Sequence, residues 1–490
     1  MNIPFVARLK NAFAKSRFAN PDSAARHVSL IAGGTVIAQA VGILTIPIVS
    51  RIYSPADYGI MAVYASVIAI LGELSGFRYY LAIPLPKDER YAKALVVLSL
   101  GLQIAFVALL AILLFFAGEY LLTKLSIPEL IPYRALIPIG LLATGTYLVL
   151  TQWAIREKLF STIARTKITQ SFSGTVAKIG LGLLGVRPLG LLIGTIVAQG
   201  GGITTLSRSL LKKKGVPKPE RGDVRRVMLR YRNFPLFGTW AGLVNTLGWQ
   251  IVPVLLVVFY NTQVAGLVAM AQGLLQLPAV FIGQAIGQVF LQRASVARYD
   301  KNVSNLSLQA YSTLLQIGFL PILIISFFAP AVFSLILGER WIEAGAYARA
   351  LGPWIAISFA YSPITMLYII LNRQKIFLTL EALHLFLKII ALYLGYYFDS
   401  PLTSIALISA VGLLLSIGRS VELLTSSGIS IPMALNMTFK IIFKSLLIAS
   451  LPAFLYIFDV NFSLVCIGLA LSLFVYAKQT YFLIAKGNSF

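Results

Sequence analysis

Residues 156–162 read Arg156-Glu157-Lys158-Leu159-Phe160-Ser161-Thr162, and residues 373–379 read Arg373-Gln374-Lys375-Ile376-Phe377-Leu378-Thr379, an offset of 217. Each copy stands between two long apolar runs, with its cations at the junction. At an offset of 207, Tyr53 and Gly59 match Tyr260 and Gly266. The chain therefore repeats itself, and the repeated piece is six apolar runs long. An even number of crossings returns the second copy to the membrane in the same direction. Two lobes related by an axis along the membrane normal are the expected result, with a binding site between them.

Composition says what the runs are. Hydrophobic types make up 58% of the 490 residues and charged types 12%, against roughly 25% charged in a soluble globular chain. That polar complement cannot clothe a soluble body, and a spanning helix needs ~20 apolar residues. The predicted fold is an all-α polytopic membrane protein of about 14 transmembrane helices. Two pseudo-symmetric six-helix lobes enclose a central cavity, followed by two C-terminal helices. Residues 1–27 read as a cytoplasmic amphipathic segment and 28–207 as the N-lobe (spans one to six). A basic cytoplasmic connector follows at 208–233, then the C-lobe at 234–425 (spans seven to twelve) and the C-terminal pair at 426–490.

The net charge of +24 would point to nucleic acid in a soluble protein. Here the positive-inside bias accounts for it, and no nucleic-acid partner is expected. Up to residue 375, 27 Lys and Arg fall in inner segments, six in outer loops and two within spans. Both termini are thus expected in the cytoplasm. The single cysteine, Cys466, rules out a disulfide within the chain.

Nothing in the chain reads as enzymatic. Gly200-Gly201-Gly202 lacks the Lys-Ser/Thr of a phosphate-binding loop and fits close helix packing or a local break. No metal-spacing cluster is present and no cofactor is expected. Without a nucleotide site, energy would come from an H+ or Na+ gradient or from the substrate gradient.

Ionisable residues inside spans are informative because each costs about 2.5–3.5 kcal/mol at the bilayer centre unless paired or wet. Glu73 and Arg78 in span two are five residues apart, about 140° around a helix, and do not read as a simple pair. Arg419 and Glu422 at i+3 read as a structural pair. Lys178 stands toward the outer end of span five, where snorkelling would also explain it. Glu381, His384 and Lys388 share one helix face. They form either a mutually satisfied stripe or, with Glu73, an ion-coupling group. Gln272, Gln276, Gln284, Gln288 and Gln292 wind around span eight, with Gln39 and Asn245 at similar depth. Such amides suit sugar hydroxyls and helix–helix bonds alike. Tyr361 precedes Ser362-Pro363, a predicted kink. The connector, with Lys212-Lys213-Lys214 and Arg225-Arg226, is an anchor for anionic lipids.

Ser50-Arg51-Ile52-Tyr53-Ser54-Pro55-Ala56-Asp57-Tyr58-Gly59 and Leu337-Gly338-Glu339-Arg340-Trp341-Ile342-Glu343-Ala344-Gly345 carry a resemblance. They are similar to two outer turns of the Wzx-type polysaccharide-unit flippases, in the multidrug/oligosaccharidyl-lipid/polysaccharide (MOP) exporter superfamily. Locally the first motif needs no substrate: Pro55 and Gly59 shape a turn, Asp57 caps span two, and Arg51 can pair with Asp57. The resemblance implies an alternating-access flippase in the inner membrane. Its cargo would be an undecaprenyl-diphosphate-linked oligosaccharide repeat unit, a precursor of O-antigen, exopolysaccharide or capsule. It would move from the cytoplasmic to the periplasmic leaflet, to be handed to a polysaccharide polymerase and chain-length system. The superfamily's drug exporters generally have twelve spans and its lipid II flippases fourteen, so fourteen spans lean toward a lipid cargo. A multidrug or small-cation antiporter and a peptidoglycan lipid II flippase are the alternatives. On this reading Arg78, Arg293 and Lys178 are candidates for the diphosphate. Gln39, Asn245, Gln272, Gln276, Gln284, Gln288 and Tyr361 are candidates for the sugars.

Overall fold

The structure, a computed structural model, describes residues 24–212, 219–279, 290, 303–458 and 462–485. Among these residues every regular element is helical. α1 (Ala24–Ile52), α2 (Pro55–Ser75), α3 (Glu89–Lys124), α4 (Leu136–Arg156) and α5 (Phe160–Leu183) occupy the first five predicted spans. α6 (Leu189–Gly200) and α7 (Ile203–Lys212) share the sixth, and α8 (Arg221–Arg230) lies in the connector. Then come α9 (Thr239–Phe259), α10 (Thr262–Leu275), α11 (Val303–Phe327), α12 (Ala329–Leu337), α13 (Ile342–Tyr361), α14 (Leu367–Ile370), α15 (Gln374–Tyr397) and α16 (Pro401–Ser426). The last two are α17 (Ile431–Ile457) and α18 (Phe462–Ala485).

Ten helices among the described residues are long and apolar enough to cross a membrane, so the chain is a multi-pass membrane protein. Particular residues keep the other predicted spans out of that set. α5 carries Arg165, Lys167 and Lys178, and α10 ends at Leu275 after only 14 residues. α13 is diluted by Arg349 and small residues, and α18 offers the shorter apolar stretch Ile467–Lys478.

Breaks fall where backbone chemistry puts them. The triple glycine is a local break: α6 stops at Gly200, and Gly202 has φ +96° before α7 begins. Pro363 opens a 3-10 turn, Ser362–Met366, immediately after α13, as the predicted kink requires. α2 stops at Ser75, before Arg78, which the sequence places inside span two. Phe77 and Arg78 take left-handed φ of 46° and 56°, and a 3-10 turn, Tyr79–Ala82, follows.

Contacts divide the chain into two compact units. One holds Tyr64–Thr246 with the segment ending at Tyr53; the other holds Ser54–Val63 with the chain from Leu247 onward. In the first unit the Tyr53 hydroxyl donates to the Lys178 carbonyl (2.7 Å), near the turn that links α5 to α6. In the second, the Tyr260 and Ser404 hydroxyls bond at 2.6 Å, near the turn that links α15 to α16. The repeat at offset 207 thus has a structural job, one tyrosine anchoring each hairpin.

The inner-turn repeat is displaced by one near-turn of helix. Leu159 N donates to Ala154 O (2.9 Å) around left-handed Lys158. Arg373 N donates to Tyr368 O (2.7 Å) around left-handed Asn372. These equivalent helix ends are 214 residues apart, whereas the side chains match at 217.

Within the second unit, α2 and α10 cross at their first turns. A Cβ on Gly59 would lie 1.8 Å from Thr262 O, and a Cβ on Gly266 would lie 1.8 Å from Pro55 O. Residues 55 and 262, and 59 and 266, are repeat equivalents, so the crossing has a local two-fold. The two outer-turn motifs also meet there: the Tyr58 and Trp341 rings pack edge to face, centroids 5.1 Å apart. Asp57 accepts from the Ser54 N–H and hydroxyl, both at 2.8 Å. Its cap is therefore local.

The C-terminal helices pack through α17 onto α11. Between them runs an apolar groove of about 270 Å³, lined by residues such as Ile324, Phe328, Leu446, Ala449 and Ala453.

Candidate functional site

α5 places Lys167, Gln170, Ser171, Gly174 and Lys178 at i, i+3, i+4, i+7 and i+11, which is one helix face. Small residues let that face come close to its neighbours. A Cβ on Gly174 would lie 2.5 Å from Ala198 Cβ, and one on Gly194 would lie 2.3 Å from Lys178 Cγ. Gly194 and Ala198, four apart on α6, form the small-residue spacing that lets membrane helices approach.

The result is an open cleft of about 420 Å³ among α1, α4, α5 and α6, wholly inside the first unit. Its lining includes Gln39, Lys167, Gln170, Lys178 and Gln199. Some polar groups bond to each other: Thr144 Oγ1 donates to Gln199 Oε1 (2.8 Å) and Gln170 Nε2 to Gln199 O (3.2 Å). Lys167 Nζ stands 5.2 Å from the centroid of the Tyr147 ring. Among the described residues no carboxylate lies within 4 Å of either ammonium. Such a cleft presents two uncompensated cations and a row of amides and hydroxyls to an anionic, hydroxyl-rich ligand.

Of the predicted site residues, Gln39 and Lys178 meet in this cleft. Lys167, Gln170, Ser171, Thr144 and Gln199 were not singled out from the sequence. The signal that would have found them is the i, i+3, i+4, i+7, i+11 pattern on α5. That polar face also lowers the hydropathy of α5.

Glu73 and Arg78 form a second cluster, and the expectation that they are not a simple pair is corrected. Arg78 Nε lies 3.3 Å from Glu73 Oε2, and Arg78 Nη1 donates to Gly238 O (3.0 Å). Thr246 Oγ1 donates to Glu73 Oε1 (2.8 Å). The 140° argument fails because α2 ends at Ser75 and the left-handed residues 77 and 78 swing the guanidinium back. Gly242 leaves the notch: a Cβ there would lie 2.3 Å from Arg78 Nη1. Asn245 is half-buried, one residue before Thr246.

In the second unit Glu381, His384 and Lys388 are buried on α15, at 8%, 5% and 3% exposure. Arg419 Nη1 bonds Glu381 Oε1 at 2.8 Å, and its Nη2 donates to Leu380 O (2.6 Å). The predicted Arg419–Glu422 pair is therefore corrected. Glu422 faces Arg373 instead (3.6 Å), because each acid meets a cation on another segment rather than one turn along its own helix. Lys388 Nζ donates to Gly248 O (2.8 Å) beside the stacked rings of Trp249 and Trp354, 5.3 and 4.9 Å from their centroids. Tyr361 is buried at 6% exposure, at the end of α13. Gln272 and Gln276 are half-buried at the end of α10. Gln284, Gln288, Gln292, Arg293, Lys213, Lys214 and most of the N-terminal segment lie outside the described residues.

The connector is held by a third cluster. Asp223, 4% exposed, bonds Arg90 Nε at 2.5 Å and accepts from the Glu220 N–H (2.9 Å); Arg90 also meets Glu220 (2.8 Å). The Glu220 N–H, then Arg90 and Arg226, hold the Asp223 carboxyl below its ordinary range.

Residues 48–346, well over half of the chain, match the family described as polysaccharide biosynthesis protein. The chain belongs to that family. Among curated proteins no sequence matches it. By structure it is similar to the lipid II flippase MurJ in an inward closed conformation, with TM-score 0.68 and 13% identity over 93% of this chain and 99% of that one. An inward-facing multidrug resistance MATE transporter of the MOP superfamily gives TM-score 0.57 and 14% identity over 79% and 97%. A MOP superfamily transporter from Pyrococcus furiosus, with a binding pocket of reverse polarity, gives 0.57 and 15% over 82% and 96%. At these identities the likeness shows the fold, which is that of the MOP superfamily.

Proposed function

We propose that this member of the polysaccharide biosynthesis family is an alternating-access flippase of the inner membrane, with both termini cytoplasmic. Its cargo is an oligosaccharide repeat unit on a polyprenyl diphosphate, moved from the cytoplasmic to the periplasmic leaflet. The observation that carries the reading is the cleft of the first unit, where Lys167 and Lys178 stand beside amides and hydroxyls with no carboxylate paired to them among the described residues. A cation exporter would want acids in that place. Lys178 takes the diphosphate, through charge-assisted bonds worth about 1.5–3 kcal/mol each, and Gln39 with its neighbours takes sugar hydroxyls. Arg78 is held by Glu73 and Gly238, so it joins only by exchanging Glu73 for phosphate. The groove between α11 and α17 suits the polyprenyl tail. Glu73 and the Glu381–His384–Lys388 stripe are the places where H+ or Na+ coupling would act. Anionic lipids sit at the arginines of α8, and a polymerase and chain-length system receives the product.

The test is binding of a short-chain polyprenyl-diphosphate-linked sugar to the purified protein in detergent. Lys178→Gln should weaken it about tenfold, the effect of one lost charge-assisted bond. Equal affinity for the uncharged polyprenol-linked sugar would contradict the reading.

A further inference from the structure

Lys167 and Lys178 are eleven residues apart on α5. Eleven residues rise about 16 Å and return to within about 20° of the same face. The two lysines therefore enter one cleft from two heights along the helix. A diphosphate, whose phosphorus atoms share one bridging oxygen, is much shorter than that rise, so two separate anionic groups fit the pair better than one.

What surrounds each cation differs. Lys178 runs through the notch that Gly194 leaves, where a Cβ would lie 2.3 Å from its Cγ, and its ammonium lines the cleft with the hydroxyls of Ser171 and Thr195. Lys167 stands over the Tyr147 ring, next to the Thr144–Gln199 and Gln170–Gln199 bonds. An aromatic face with hydrogen-bonding edges is a surface for a pyranose ring. An ammonium left in an open intramembrane cleft with only a ring face for compensation is costly. A carboxylate arriving on a sugar would remove that cost.

We propose that the cargo is anionic at two places: the diphosphate at Lys178, and a carboxylated sugar of the repeat unit at Lys167. The inference rests on the flippase reading and deepens it by assigning the cargo's sugars to the acidic class.

Two probes test it: short-chain polyprenyl diphosphates bearing either a glucuronic-acid-containing disaccharide or its neutral glucose counterpart. Wild type should bind the acidic probe about tenfold tighter, the size of one charge-assisted pair. Lys167→Gln should abolish that preference while Lys167→Arg keeps it. Lys178→Gln should weaken both probes and leave the preference intact. Equal binding of the two probes by wild type would overturn the acidic-sugar inference and leave the flippase reading standing. So would equal weakening of the neutral probe by Lys167→Gln and Lys178→Gln, since that marks two stations for one diphosphate. Failure of wild type to bind either probe would overturn both.

Discussion

Lys178 passes against Gly194 so closely that a Cβ on the glycine would lie 2.3 Å from Lys178 Cγ. The nearest atom belongs to a flexible side chain, and Gly174 O and Lys178 N follow at 3.0 Å, so a larger residue at 194 redirects the ammonium and presses α5 away from α6. Gly194→Val should weaken binding of the diphosphate probe about tenfold, as loss of a charge-assisted bond does. Gly180→Ala, with nothing within 4 Å of the added carbon, should bind as wild type. Titration of both variants against the probe, after matched thermal melts, checks this. Unchanged affinity in a folded Gly194→Val protein would remove Lys178 from the diphosphate site.

The crossing of α2 and α10 tolerates no side chain at Gly59 or Gly266, where the obstacles are the backbone carbonyls of Thr262 and Pro55. Gly59→Ala and Gly266→Ala should each destabilise by about 1–3 kcal/mol or more, the usual cost of overpacking. Because the contact is reciprocal, the two losses should be similar. Gly101→Ala, which meets nothing within 4 Å, is the control. Thermal melting in detergent reads all three.

Arg419 and Glu381 are buried together, and breaking such a pair by removing one partner typically costs about 3–5 kcal/mol. Arg419→Leu should therefore be severely destabilising, and Arg419→Leu/Glu381→Leu should recover much of the loss. Glu381→Gln separates packing from coupling. If the stripe couples protons, transport per folded molecule falls and loses its pH dependence. If per-molecule transport is unchanged, the role is structural.

Asp223 ties α8 to α3 with a carboxyl held below the ordinary value of 3.8, first by the Glu220 N–H and then by Arg90 and Arg226. A depressed acid stabilises fully above its unfolded value and loses that contribution as pH falls through the folded value. Protection of residues 221–230, taken as exchange relative to the intrinsic rate at each pH, should stay high at pH 6 and fall as pH drops below about 3.8. Asp223→Asn should exchange quickly already at pH 6. Protection independent of both pH and the substitution would show that Val227 and its apolar neighbours hold the helix alone.

Much of this fold was legible because apolar runs and cation placement report directly on spanning helices. The tyrosine and glycine pairs at offset 207 were legible too, since each meets a steric demand that the repeat imposes twice. The candidate site was less so. Helical-wheel geometry separated Glu73 from Arg78 because it assumed a helix through Ser75, where left-handed residues end it. It paired Arg419 with Glu422 because sequence shows neighbours on one helix, whereas Glu381 reaches Arg419 from another. Lys178 and Gln39 were visible as polar residues in apolar surroundings. Lys167 was counted with the inner-facing cations, and only the packing of α5 against α4 and α6 places it in the cleft.

The central claim is that this chain moves a polyprenyl-diphosphate-linked saccharide across a bilayer, using Lys178. Its most direct measurement is in proteoliposomes loaded with a short-chain polyprenyl-diphosphate saccharide, followed by the fraction that an impermeant sugar-modifying enzyme can reach. Wild type should bring the inner-leaflet pool to the outside within the assay, and Lys178→Gln should slow this about tenfold at subsaturating cargo. Protein-free and wild-type vesicles exposing the cargo at the same rate would contradict the account.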